Sequence, residues 1–146
     1  MLGELESRQI EQVLRAEVIA RIGCVSDGRV YVVPVTYVYD GTCAYGHSMD
    51  GAKLRAMRAN PHVCFEVEHV DNLANWQSVI AWGTFEELEG EEWDAGMRLL
   101  VDRIQPLLVS STSAPPHGEN PGPPSARHGS VYRIRLGERT GRFEKR

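Results

Sequence analysis

His47, Ser48 and Lys53 are the residues whose types and spacing could do chemistry together. They lie in TCAYGHSMDGAKLRAMRANPHVCFEVE, residues 42 to 68, which reads as strand, tight turn, short helix, strand. Helix-start backbone N–H groups, a hydroxyl and an ammonium can converge there on one phosphate. Arg55 adds a second cation, although two basic residues on a short helix also make an ordinary solvated face. An imidazole at a strand end beside an anion pocket can shuttle a proton or simply hold a hydrogen bond, so His47 is the catalytic candidate. Trp76 and Ser78, two apart in an extended run, share a face. They offer a flat aromatic and a hydroxyl to a ligand, or form a core tryptophan beside a surface serine.

Other chemistries lack their residues. There is no G-x-S-x-G elbow, no H-E-x-x-H and no Walker loop, which removes the defining groups of those hydrolases, zinc proteases and nucleotide triphosphatases. Cys24, Cys43 and Cys64 are odd in number and widely spaced in strand-like stretches, the pattern of buried reduced thiols. A metal site would have to gather His62, Cys64 and His69. No pair has structural-zinc spacing and strand alternation splits His69 from the others, so no metal is expected. Residue chemistry alone leads to a binder of an anionic small molecule.

The elements that must position these residues follow from pattern. Ile10, Val13 and Leu14 share one face of a helix over 6–17, with Ser7 as its N-cap. Residues 18–48 read as three strands in an antiparallel meander, turned at Asp27-Gly28 and Asp40-Gly41. The middle strand, 29–39, is apolar on both faces, which implies a core on one side and a ligand or second subunit on the other. Pro34 within it implies a bulge or an edge. Asp50 is placed to cap a helix over 51–59, with Leu54 and Met57 inward, ended by Asn60-Pro61. Val63, Phe65 and Val67 alternate with Cys64, Glu66 and Glu68. A long strand from Trp76 to about Leu88 can bend at Gly83. A helix carrying Trp93, Met97, Leu100, Val101 and Ile104 is expected to cover a barrel mouth, with Pro106 near its end. Residues 109–129 are rich in Ser, Pro and Gly and read as a flexible loop. A last strand begins at Ser130.

The chain has 146 residues, 42% hydrophobic and 25% charged, with a formal net charge of −4. That is one domain's worth of chain, with no electrostatic footprint for nucleic acid. No apolar run reaches bilayer length and no signal peptide opens the sequence, so a cytoplasmic protein off the membrane is expected. The fold class is α+β: an antiparallel barrel of about six strands with two or three flanking helices.

Three blocks in order, DGRVYVVPVTYVYDG, CAYGHSMDGAKLRAMRANPHVCFEVE and NWQSVIAWGTFEEL, resemble the split barrels that bind flavin mononucleotide and are related to pyridoxamine 5′-phosphate oxidase. The nitroimidazole-resistance branch is the nearest. The resemblance implies a six-stranded split β-barrel over 1–146 and a homodimer with FMN in each interface cleft. It sets Val33, Pro34, Val35 and Thr36 along the isoalloxazine, His47, Ser48 and Lys53 around the phosphate, and Trp76 and Ser78 near the ring. It implies an oxidoreductase acting on a small organic substrate. A flavin-binding sensor without turnover, or a relative using deazaflavin or haem, would share these residues. Ala52 and Tyr31 stand where the oxidases place phosphate-binding bases. The oxidases' C-terminal tryptophan- and arginine-bearing motif is absent, which argues against vitamin B6 oxidation.

Overall fold

A computed structural model describes residues 1–108 and 129–146. The elements are β1 (Leu2–Glu4), α1 (Ser7–Ala16), β2 (Ile19–Ser26), β3 (Arg29–Thr36), β4 (Val38–Tyr39), β5 (Cys43–Ser48), α2 (Ala52–Ala59), β6 (His62–Asn72), β7 (Asn75–Glu87), α3 (Gly90–Leu108) and β8 (Ser130–Glu144). All described strands join one antiparallel sheet in the order β3-β2-β6-β7-β8-β5-β4, with β1 added on β8. The α+β class holds, with eight strands rather than six because β1 and β4 are short extra pieces. The expected loop at 109–129 falls outside the described residues except for Gly129.

The sheet curls because its two ends are neighbours in sequence. β3 begins the strand order and β4 ends it, yet only Tyr37 separates them. Tyr37 is buried, donates its hydroxyl to the Leu14 carbonyl at 2.7 Å and its N–H to Val18 at 2.9 Å, and meets Phe65 edge-on at 5.2 Å. The barrel is therefore closed by one covalent link rather than by a complete ladder. This corrects the meander: β3 pairs only with β2, while β5 pairs with β4 and β8. An inward Tyr37 breaks the run at 29–39 and sends its two halves to opposite sheet edges.

Pro34 sits on that β3 edge, where a missing N–H leaves no gap in the sheet. Inside the barrel, Ile10, Val13 and Leu14 of α1 meet Ile22, Leu54, Met57, Phe65, Val67, Val79 and Ile134. Val63, Phe65 and Val67 are buried as their alternation requires. At Gly83 the β7–β8 register slips, and a Cβ there would stand 2.7 Å from the Arg135 carbonyl oxygen. A side chain would not fit, so the bend needs glycine. α3 packs on β4, β5 and β8, where Leu100 joins Leu88 and Val131 in a second apolar cluster.

Helix starts also differ from expectation. Glu6, not Ser7, is the N-cap of α1, and the Gln9 side-chain oxygen accepts the Glu6 N–H at 2.8 Å. At α2 the capping position falls to Gly51, which no side chain assists. Asp50 is engaged elsewhere: its Oδ1 accepts from Arg58 Nη1 at 3.2 Å and from the Gly51 N–H at 3.1 Å.

Candidate functional site

β5 ends at Ser48, and α2 begins at Ala52 after three intervening residues. With no side-chain cap, the first N–H groups of α2 stay open to an external acceptor. Lys53, in the first turn of α2, is half-buried and makes no hydrogen bond or ion pair among the described residues. Its burial lowers its pKa, since taking an ammonium out of water disfavours the charge. A buried ammonium and open helix-start N–H groups are chemically suited to an anion. Ser48 borders the same turn and donates to the Met49 carbonyl at 2.8 Å. His47 is exposed, and its Nε2 lies close to Gly129: a Cβ built there would be 3.0 Å from it and 2.7 Å from the Ser48 carbonyl oxygen. Gly129, at φ +81°, thus meets β5 where a larger residue would be strained and crowded.

β3 approaches β5 along the open seam of the barrel without pairing to it. This brings the segment Val33 to Thr36 to the side of the barrel that carries His47 and Ser48. Val35 turns inward and is buried, whereas Pro34 and Thr36 are exposed. Among the described residues no strand pairs with the seam edge of β3, which leaves its backbone groups open to a flat ligand.

Trp76 and Ser78 stand apart from this group. They begin β7, while the level of Ser48 is set by the opposite end of that strand, where Glu87 pairs with Tyr132. Nine residues of strand separate Ser78 from Glu87, about 30 Å. One protomer therefore does not bring its own Trp76 and Ser78 to its own Lys53. Trp76 instead lines a pocket of about 410 Å³ with Gln9, His69, Gln77 and Phe143. A second groove, of about 660 Å³, lies between Val25, Val30, Cys64, Trp82 and Arg135 on the outer sheet face and contains none of the expected site residues.

Two features escaped the sequence. Arg21 Nη1 lies 3.0 Å from Glu68 Oε1 and 3.5 Å from Glu66 Oε1. Arg21 is opposite Pro34 on one side and Glu66 on the other, and Glu68 is opposite Ser78. This ion cluster thus bridges the strand of Pro34 to Ser78 across the outer face. The alternation of Glu66 and Glu68 hinted at a polar face, but only the register supplies Arg21. The second feature is Tyr132, 2% exposed, whose hydroxyl has no hydrogen-bond partner among the described residues. It lies under Gly46, where a Cβ would come within 2.4 Å of it. Among the described residues no group of His, Cys, Asp and Glu could hold a metal ion, and no helix is long and apolar enough to cross a membrane.

Comparison with known proteins places this geometry. A FAD-binding protein of Mesorhizobium loti is 32% identical, with a TM-score of 0.74 and 99% of each chain covered. A Bacteroides thetaiotaomicron protein assigned to 5-nitroimidazole antibiotic resistance shares the fold at 19% identity, with a TM-score of 0.73 over 98% of this chain and 87% of that one. The FAD- and haem-binding protein of Mycobacterium smegmatis shares it at 14% identity, with a TM-score of 0.77 over 99% and 74%. The uncharacterised protein RA0666 of Rhizobium meliloti is 33% identical over 84 residues, 58% of this chain and 56% of the relative, so the match spans little more than half of that protein. The family described as pyridoxamine 5′-phosphate oxidase matches residues 6–143. Matched by that family model over residues 6–143, nearly its whole length, this chain belongs to the pyridoxamine 5′-phosphate oxidase family.

Proposed function

We propose that this protein is a flavin-dependent oxidoreductase that holds FMN by its phosphate at Lys53 and passes electrons to a small organic substrate, as nitroimidazole reductases do. The observation that carries the reading is the half-buried Lys53 ammonium, without a partner among the described residues, at the uncapped start of α2. The donor set fits a phosphate: an ammonium, helix-start N–H groups and the Ser48 hydroxyl. The seam edge of β3 fits a flat ring that reads backbone groups. Bound flavin supplies the hydride or electron transfer. The chain supplies orientation through Val33 to Thr36 and charge neutralisation at Lys53, and His47 serves as the side chain placed to exchange a proton.

Trp76 and Ser78, about 30 Å along β7 from the pocket of their own chain, are the residues a second copy would contribute. The proposed assembly is a homodimer with a flavin at each interface cleft. Purified protein is expected to show flavin absorbance, to be bleached by a nicotinamide donor, and to be reoxidised by a nitroaromatic. Protein that binds flavin yet shows no substrate-dependent reoxidation would be a binder or sensor and would end the enzyme reading. A second reading, FAD in place of FMN, is favoured by the FAD-binding relative at 32% identity. Mass analysis of the released cofactor decides between them.

A further inference from the structure

The guanidinium of Arg58 is divided between a firm partner and a loose one. Glu87 takes it in a fork, from Nε at 2.8 Å and from Nη2 at 2.6 Å, and Ser130 Oγ accepts more distantly from Nη2 at 3.4 Å. Nη1 is left over, and Asp50 Oδ1 accepts from it at 3.2 Å. The same Asp50 oxygen accepts the N–H of Gly51, the N-cap of α2, at 3.1 Å. One guanidinium N–H and one helix-start N–H therefore converge on a single carboxylate oxygen. The Asp50 side chain is 72% exposed, against 30% for Glu87. Glu87 is thus the anchor and Asp50 the exchangeable partner, since a single contact to a carboxylate this open to water contributes little.

The point of convergence lies in the turn that carries the proposed phosphate site. Asp50 stands two residues after the end of β5 and three before Lys53, and Ser130, in reach of Arg58, is opposite Ser48 in the sheet. We propose that Asp50 is a built-in surrogate for the ligand's phosphate, an autoinhibitory contact that occupies Arg58 Nη1 and the Gly51 N–H until a phosphate displaces it. The inference rests on the FMN reading and deepens it by naming what selects the phosphorylated flavin. In the exchange, Arg58 keeps its fork on Glu87 and turns its Nη1–H from the carboxylate to a phosphate oxygen. The Gly51 N–H changes acceptor with it, and Asp50 moves out into water. A phosphate monoester carries more negative charge than a carboxylate at neutral pH and offers three strong acceptor oxygens, so it wins both donors. A neutral hydroxymethyl end has no charge with which to evict Asp50, and a flavin without phosphate gains nothing from Arg58. Arg58 thereby becomes the second cation of the site in place of Arg55.

The test compares the affinities of the full-length protein for FMN and for riboflavin by fluorescence titration. Asp50→Ala is expected to tighten FMN about fivefold, the scale of one exposed ion pair. Arg58→Met is expected to weaken FMN about tenfold, the lower end for a charge-assisted hydrogen bond, and neither change should move riboflavin. In the double variant, with Arg58→Met already present, Asp50→Ala should give no gain. A gain that survives Arg58→Met is a general charge effect and overturns the exchange. An FMN affinity unchanged or weakened in Asp50→Ala, or a riboflavin affinity that moves in step with that of FMN, overturns it too. If Arg58→Met does not fold, Arg58→Lys, which keeps a charge but loses the fork, takes its place with the same expectations. Wild-type protein that binds neither flavin, or both equally, sinks the underlying phosphate reading. Protein that prefers FMN with an affinity blind to Asp50 sinks this proposal alone.

Discussion

A half-buried ammonium without a counter-charge costs stability unless something arrives to pair it, and Lys53 is that residue. Lys53→Met should leave folding intact, since the side chain anchors nothing among the described residues. Charge-assisted hydrogen bonds contribute about 1.5–3 kcal/mol, so flavin affinity should fall roughly tenfold to a hundredfold. Fluorescence titration with FMN measures it, and unchanged affinity would remove Lys53 from the phosphate site. Tyr132 has the opposite balance: its hydroxyl is buried with no partner among the described residues, and burial alone raises its pKa. Tyr132→Phe keeps the ring that packs at 5.6 Å against Phe85 and removes the orphaned group. It should stabilise the flavin-free protein by about 1 kcal/mol in denaturant unfolding. A loss of stability would show that the hydroxyl has a partner in solution.

At the scale of elements, α2 is tied to the sheet by Arg58, which donates to Glu87 from Nε at 2.8 Å and from Nη2 at 2.6 Å. These bonds hold the Glu87 carboxyl below the ordinary glutamate range. A depressed folded-state pKa gives stability that is complete above the unfolded pKa and fades as pH falls through the folded one. The stability gap between wild type and Glu87→Gln should therefore be present at neutral pH and close in acid. A gap independent of pH would dismiss the ion pair as its source.

Much of this was legible in the chain. Asp27-Gly28 forms a turn with both φ angles positive, at 51° and 75°, as that dipeptide favours. Gly83 marks the bend, and Val63, Phe65 and Val67 face the core. What was not legible depends on partners remote in sequence. Asp50 looks like a cap until Arg58 draws it away, and nothing local shows that β3 and β5 part at Tyr37. Arg21 finds Glu66 and Glu68, more than forty residues on, only through the β2–β6 register. Of the candidate site, the grouping of Ser48 with the start of α2 and Lys53 was readable because one short stretch contains them. The separation of Trp76 and Ser78 from it was not, because distance along β7 is set by the fold.

For the whole molecule, the outer face of the β2–β3 hairpin is apolar and uncovered. Val30 is 79% exposed, Val32 59% and Trp82 46%. A second copy on this face would shelter those side chains and bring Trp76 and Ser78 toward a foreign seam. Val32→Lys is expected to convert the proposed dimer to monomer by light scattering and to weaken FMN binding with it. A monomeric wild type that retains flavin would refute the shared cleft. The last strand has a further consequence. β8 pairs with β1, β5 and β7 at once, joining residues as far apart as Leu2 and Glu144. During synthesis, β5 and β7 leave the ribosome as raw edges and wait until β8 emerges before the sheet can close. A nascent chain halted before Ser130 would be a sticky intermediate, so this protein should depend on chaperones most in the interval before β8 is made.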